Sequence, residues 1–332
     1  GAVLIAAGIG LSIFGLQQSV LWGWSSAAIW ACIVAGLLII AIFVLLELRT
    51  ESPLIKVSIF RIRAFSVENL VLLIAMMAFI PVFFFASEYA QISLHKSASQ
   101  AGIFLLFFFL GFVVAAQIGG RILDREGAKR AVVFGCAIAA VGFGLWASVV
   151  TKLDFNDQRI WVIVAGAGMG MMLGPANTDA VNRASNLSYG EATGITQTIR
   201  NFGASLGLAI LGTVLLTEFR SHLTTTLTPY LGKNAAHVAA VASQSQGGGS
   251  KSFHVPASLA NTLAHDVQLD FAHATETVLY VMCGVMAFAG VVALFGLERG
   301  VQAPASPEPT DTEAGAAAAA AAVDPAPSDQ PA

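Results

Sequence analysis

Charge is what this sequence has least of. Asp, Glu, Lys and Arg make up 11% of its 332 residues, against roughly 25% in an ordinary soluble protein. Hydrophobic residues make up 56%, and the mean hydropathy is +0.74. A folded surface in water must be polar, so this composition excludes a soluble enzyme, a nucleic-acid binder or a disordered scaffold for most of the chain. Cysteine is scarce too. Cys32, Cys136 and Cys283 all fall in apolar runs, which excludes a disulfide or metal framework and leaves them as small buried hydrophobes. The apolar runs also lack a Ser/His/Asp, Cys/His or nucleotide-binding constellation, so no catalytic residue, metal or cofactor is expected. A start signal is missing as well. The chain opens at Gly1 inside an apolar run, without Met, a basic n-region or a cleavage site. It is therefore expected to be truncated at its N-terminus rather than to carry a signal peptide. The net charge of −3 includes five acidic residues and no Lys or Arg in 300–332, leaving +2 on the rest. Neither value points to nucleic acid as a partner.

What the sequence has is apolar length. A helix crosses the hydrocarbon core with about 20 apolar residues. Eight segments meet or approach this: Gly1–Leu16, Ala27–Leu46, Val67–Ala86, Ala98–Ile118, Ala131–Val150, Ile160–Asp179, Thr193–Leu216 and Glu276–Gly296. The expected fold class is an all-α polytopic membrane protein. Loops after the second, fourth and sixth spans hold nine Lys or Arg, and the short alternate loops hold Lys96, Lys152 and Arg159. The positive-inside rule then places the former loops and the C-terminus in the cytoplasm, with the protein in the cytoplasmic membrane. Residues 217–275 form a long external segment with a flexible Ser243–Ser250 stretch, followed after Pro256 by Leu259, Leu263, Val267 and Phe271 at helical spacing. The tail, 300–332, is low in complexity and expected to be disordered.

One cytoplasmic loop is more specific than its charge. It reads Gly120-Arg-Ile-Leu-Asp124-Arg125-Glu-Gly127-Ala128-Lys129-Arg130. This resembles the Gly-x-x-x-Asp-Arg-x-Gly-x-basic-basic loop of the major facilitator superfamily, which joins the second and third helices of each six-helix bundle. On that match the third to eighth spans are one bundle and the first two are extra, similar to the linker pair of fourteen-helix drug/proton antiporters. Glu88-Tyr-Ala-Gln91, Ser99-Gln-Ala-Gly102 and Gly194–Gly207 extend the likeness. Ala128 and Phe107-Phe-Phe109 depart from it, standing where many members have an Arg and a Pro. The resemblance implies residues 1–66 as two extra helices with a basic loop, 67–299 as the C-terminal six-helix bundle and 300–332 as a tail. It implies a proton-coupled exporter of hydrophobic or amphipathic compounds working by alternating access. Its partners would be the bilayer, an N-terminal six-helix bundle missing here, a small hydrophobic or cationic substrate, and protons. Alternatives are an exporter of one lipid, siderophore or natural product, and a non-transporting half-molecule. A membrane enzyme lacks the clustered groups it would need.

Charges within spans are expensive and default to functional readings. The gate is expected to comprise Gly120, Asp124, Arg125, Gly127, Lys129, Arg130 and Asp179, with Asp179 joining the basic loop in a charge cluster. Gln197, Arg200 and Asn201 form a polar stripe for substrate or for an anchoring contact. Glu88, Tyr89 and Gln91 at the external end are candidates for a cation or proton. Gly166, Gly170 and Gly174 before Pro175 resemble an antiporter motif, but read better as a packing stripe. His265, Asp266, Asp270 and His273 lack a standard metal spacing and read as a solvated face.

Overall fold

The computed structural model describes residues 1–49, 57–184, 188–232, 235, 236, 239, 257–298 and 300. Ser243–Ser250 and the tail after Gly300 lie outside these. Among the described residues the secondary structure is helical throughout. The long helices are α1 (Ala2–Trp22), α2 (Ala27–Glu47), α3 (Arg63–Ile92), α4 (Ala98–Glu126), α5 (Ala128–Val150), α6 (Phe155–Asn182), α7 (Tyr189–Leu231) and α8 (Ala257–Gly296). All eight are long and apolar enough to cross a membrane. Helices satisfy their own backbone groups, which is why an apolar chain takes this form in lipid.

Helices α3 to α8 contribute to one apolar core, which includes Val71, Phe104, Val132, Val162, Leu211 and Phe271. Within it α6 packs mainly on α4 and α5, while α3 packs on α7 and α8. Helices α1 and α2 pair with each other, and α1 also lies along α7. The Trp24 indole N–H, in the α1–α2 turn, donates to Thr213 Oγ1 of α7 at 2.8 Å. On α2 only Ile29, Gly36, Phe43 and Glu47 are buried, a narrow seam on a helix otherwise apolar all round.

Small residues set the closest approaches. A Cβ at Gly166 or Gly170 of α6 would run into the Phe108 or Phe112 carbonyl of α4, and one at Gly111 or Gly119 of α4 into the Ile163 or Met171 carbonyl of α6. The α4–α6 contact is thus backbone against backbone, as small-residue stripes allow in lipid. Gly174 faces open space. Gly166→Ala and Gly170→Ala are therefore expected to destabilise the protein by about 1–3 kcal/mol. Gly174→Ala should be neutral or slightly stabilising through helix propensity, by up to about 1 kcal/mol. Thermal melts of the purified protein in detergent check both.

Two helices run past their expected spans. Helix α7 continues beyond Leu216 to Leu231, and α8 begins near Ala257, well before Glu276. Hydropathy falls in these stretches, yet a four-residue apolar repeat persists in Phe219, Leu223 and Leu227, all buried. Phe219 packs edge-on against Phe271 of α8, ring centroids 5.3 Å apart. The helix expected after Pro256 is thus continuous with the last span, while the extension of α7 runs into the segment expected as an external loop. At 43 residues, α7 is about 65 Å long, far beyond the roughly 30 Å hydrocarbon core.

Candidate functional site

The α4–α5 connection is a single residue. Gly127 ends α4 and starts α5 at φ 86°, ψ 170°. A side chain there would be strained and would meet the Gly300 carbonyl, so the second glycine of the signature serves a one-residue turn against the end of α8. Gly120 faces open space. Asp124 and Arg125 are exposed and make no ion pair or hydrogen bond among the described residues. Arg130 Nη1 pairs with Glu126 Oε2 at 2.6 Å. Lys129 Nζ donates to the Leu297 carbonyl at 2.8 Å, and Arg63 Nη2 to the Phe295 carbonyl at 3.5 Å. Two cations thus cap the C-terminal carbonyls of α8, where the helix dipole favours positive charge.

Beside this cap lies a buried charge network. Asp179, one turn from the end of α6, accepts from Arg183 Nε at 2.7 Å. Arg183 Nη1 reaches across to Glu298 Oε2 at 2.8 Å, joining α6 to the segment after α8. The Asp179 and Arg183 side chains are 4% and 16% exposed, whereas Glu298 is 59% exposed. The expectation paired Asp179 with the signature loop; its ion pair is instead with Arg183, and Lys129 of the loop bonds to the Leu297 carbonyl. Asp124 and Arg125 stand outside this network.

On the inner side, Glu68 of α3 faces Asp179. Glu68 is fully buried, and among the described residues no hydrogen-bond partner meets either of its carboxyl oxygens. Asp179 and Arg183 of α6 stand beside it. Burying a carboxylate without a donor is costly by several kcal/mol.

The α7 stripe is internally bonded. Gln197 Nε2 donates to Asn201 Oδ1 at 3.1 Å, and Arg200 Nη1 donates to Gln197 Oε1 at 3.2 Å and to Asn177 Oδ1 of α6 at 3.4 Å. Arg200 Nε is buried without a partner among the described residues. Asn201 also lines a cavity of about 820 Å³ between α1, α2 and α7, walled largely by apolar side chains such as Ile9, Ile40, Phe43 and Ile199.

At the opposite end the three external candidates separate. Tyr89 is fully buried. Its hydroxyl donates to the Val150 carbonyl at 2.6 Å and accepts from Gln158 Nε2 at 2.7 Å, while Gln158 Oε1 takes the Trp146 indole N–H at 3.3 Å. This pins α3 to α5 and α6. Tyr89→Phe should cost about 1–3 kcal/mol by stranding buried partners, read as a lower Tm. Glu88 is half-buried, and Gln91 is exposed and bonded to Ser87. Among the described residues no group of three or more His, Cys, Asp or Glu is arranged to hold a metal. His273 instead stacks on His222 of α7, centroids 5.4 Å apart, and approaches Glu276 Oε2 at 3.2 Å.

Sequence reasoning missed Glu68, Arg183 as the partner of Asp179, and Glu298. Glu68 had a signal: an acid next to Asn69 at the start of a strongly apolar span. The other two had none, because they meet only after α6 and α8 are packed.

Comparison with known proteins agrees with this architecture. The profile of the Major Facilitator Superfamily matches residues 1–208. The cephamycin export protein CmcT of Amycolatopsis lactamdurans is 33% identical over 218 residues, which is 64% of this chain and 45% of that protein. The tetracenomycin C resistance and export protein of Streptomyces glaucescens is 27% identical over 218 residues, 65% of this chain and 40% of that one. The multidrug transporter protein MdtP of Bacillus subtilis (strain 168) is 26% identical over 231 residues, 68% and 42% of the two chains. The chain spans less than half the length of each of these relatives. This is a multi-pass membrane protein, and it belongs to the major facilitator superfamily.

Proposed function

We propose that the full-length protein is a proton-coupled antiporter that exports hydrophobic or amphipathic compounds across the cytoplasmic membrane by alternating access. In this reading α3–α8 are the C-terminal six-helix bundle, α1 and α2 are linker helices, and an N-terminal six-helix bundle completes the molecule. The basic end, with the signature loop and the C-terminal tail, faces the cytoplasm. Bundles of this kind rock about a central site.

The observation that carries the reading is Glu68 beneath the Asp179–Arg183–Glu298 network. While α6 and the end of α8 stay stapled by Arg183, water is kept from Glu68, which in this reading holds a proton, and Asp179 stays paired with Arg183. Opening the basic end breaks the Arg183–Glu298 bridge and admits water, and Glu68 then ionises. Protonation and access state are thereby linked, so a proton gradient can drive the conformational cycle. Lys129 holds α8 from the other side through Leu297, which gives the signature loop a part in the same latch.

The substrate class rests on the relatives' names and on the apolar cavity between α1, α2 and α7. A second reading, an exporter of one natural product, is favoured by the 33% identity to a protein named for cephamycin alone. An efflux panel in cells expressing the full-length protein separates them. Export of several unrelated hydrophobic compounds, abolished by a protonophore, is the expected result. Export of one compound supports the second reading, and export indifferent to the protonophore overturns proton coupling.

A further inference from the structure

The ends of α4, α5 and α8 line an open cavity of about 590 Å³ which, Lys129 apart, the transport reading does not use. Arg125, Lys129 and Arg130 line it, and Val133 and Phe134 of α5 with Leu294 of α8 form its apolar wall. Glu126 lines it as well, bound to Arg130 at 2.6 Å, so the lining carries a net charge of +2. The cations have different freedom. Lys129 is half-buried and aimed by its bond to the Leu297 carbonyl. Arg125 is exposed and makes no ion pair or hydrogen bond among the described residues, and a guanidinium carries five donors.

The wall is exposed. Phe134 is 58% exposed and Leu294 47%, and Phe295 beside it is 75% exposed. On membrane-spanning helices such faces meet acyl chains. Surplus positive charge at the helix ends therefore stands next to a surface that acyl chains cover. A soluble anion would use the charge and leave the wall. A zwitterionic lipid would use the wall and leave the charge uncompensated. We propose that this cavity binds one anionic phospholipid, its phosphate held by Arg125 and Lys129 and an acyl chain lying along Phe134 and Leu294. Basic pockets between helix ends at a membrane interface suit such headgroups, and Arg offers a phosphate paired hydrogen bonds. The inference rests on the helices lying in a bilayer and not on proton coupling, so either reading can fail without the other.

The test uses full-length protein in mild detergent, titrated with phosphatidylglycerol, with phosphatidylcholine of the same acyl chains, and with glycerol phosphate, bound lipid being counted by native mass spectrometry. Phosphatidylglycerol should bind about tenfold or more tightly than phosphatidylcholine. The Arg125→Ala/Lys129→Ala double variant should lose that preference, and Arg121→Ala, outside the cavity, should keep it. Glu126→Gln removes the opposing charge and should raise phosphatidylglycerol affinity several-fold. A poorly folded protein cannot give that gain, so its absence overturns the proposal even if the double variant fails to fold. Equal binding of the two lipids, a preference that survives the double substitution, or glycerol phosphate binding as tightly as phosphatidylglycerol also overturns it.

Discussion

Glu68→Gln is expected to abolish uphill export driven by a pH gradient while leaving passive substrate exchange intact. Glutamine has the shape of a protonated glutamate and cannot ionise. The variant should therefore stay in the arrangement seen here, with Asp179 on Arg183, but release no proton when the basic end opens. In proteoliposomes of the full-length protein, gradient-driven transport should fall by about tenfold or more, the scale of one coupling free energy between sites. Substrate exchange at equal pH should stay within about twofold of the wild type. Loss of both would mean that Glu68 serves structure or substrate binding. Retention of both would place coupling elsewhere.

Arg183→Ala is expected to produce the largest loss of stability among charge substitutions at this end. It leaves Asp179 and Glu68 facing each other with no cation, both buried. Removing one member of a buried pair costs about 3 kcal/mol or more, because the partner's charge stays uncompensated. Asp179→Asn alone should cost less, about 1 kcal/mol, since Arg183 keeps Glu298 and the carboxyl pair becomes a single acid. The diagnostic result is the double variant. Arg183→Ala/Asp179→Asn should recover most of the loss in Tm, as removal of the stranded charge requires. A double variant no better than Arg183→Ala would show that Arg183 acts through packing. Glu298→Gln breaks only an exposed end of the network and should cost no more than about 1 kcal/mol.

The eight helices were legible because lipid demands long apolar runs, and the turn at Gly127 because glycine spacing survives as a one-dimensional pattern. The extensions of α7 and α8 were less so. Their polar faces lower hydropathy, and the Phe219–Leu223–Leu227 stripe acquires meaning once Phe271 lies against it. The glycine stripe of α6 could be read as packing, yet nothing in the sequence singles out Gly174 from Gly166 and Gly170. That distinction depends on which face meets α4. Asp179 was visible as an acid at a helix end. Its environment was not, because Glu68 and Glu298 arrive from helices far away in sequence. Tyr89 illustrates the reverse. Its place beside Glu88 suggested an aromatic wall for a cation, and the fold spends its hydroxyl on Val150 and Gln158.

The central claim is that Glu68 carries a proton in the arrangement described here. Infrared difference spectroscopy of the full-length protein reads this directly, because a protonated carboxyl has a C=O stretch separate from the carboxylate bands. The wild type should show a protonated-carboxyl band that is absent from Glu68→Gln and that diminishes when the basic end is driven open. Identical carboxyl spectra from the wild type and Glu68→Gln would contradict the account.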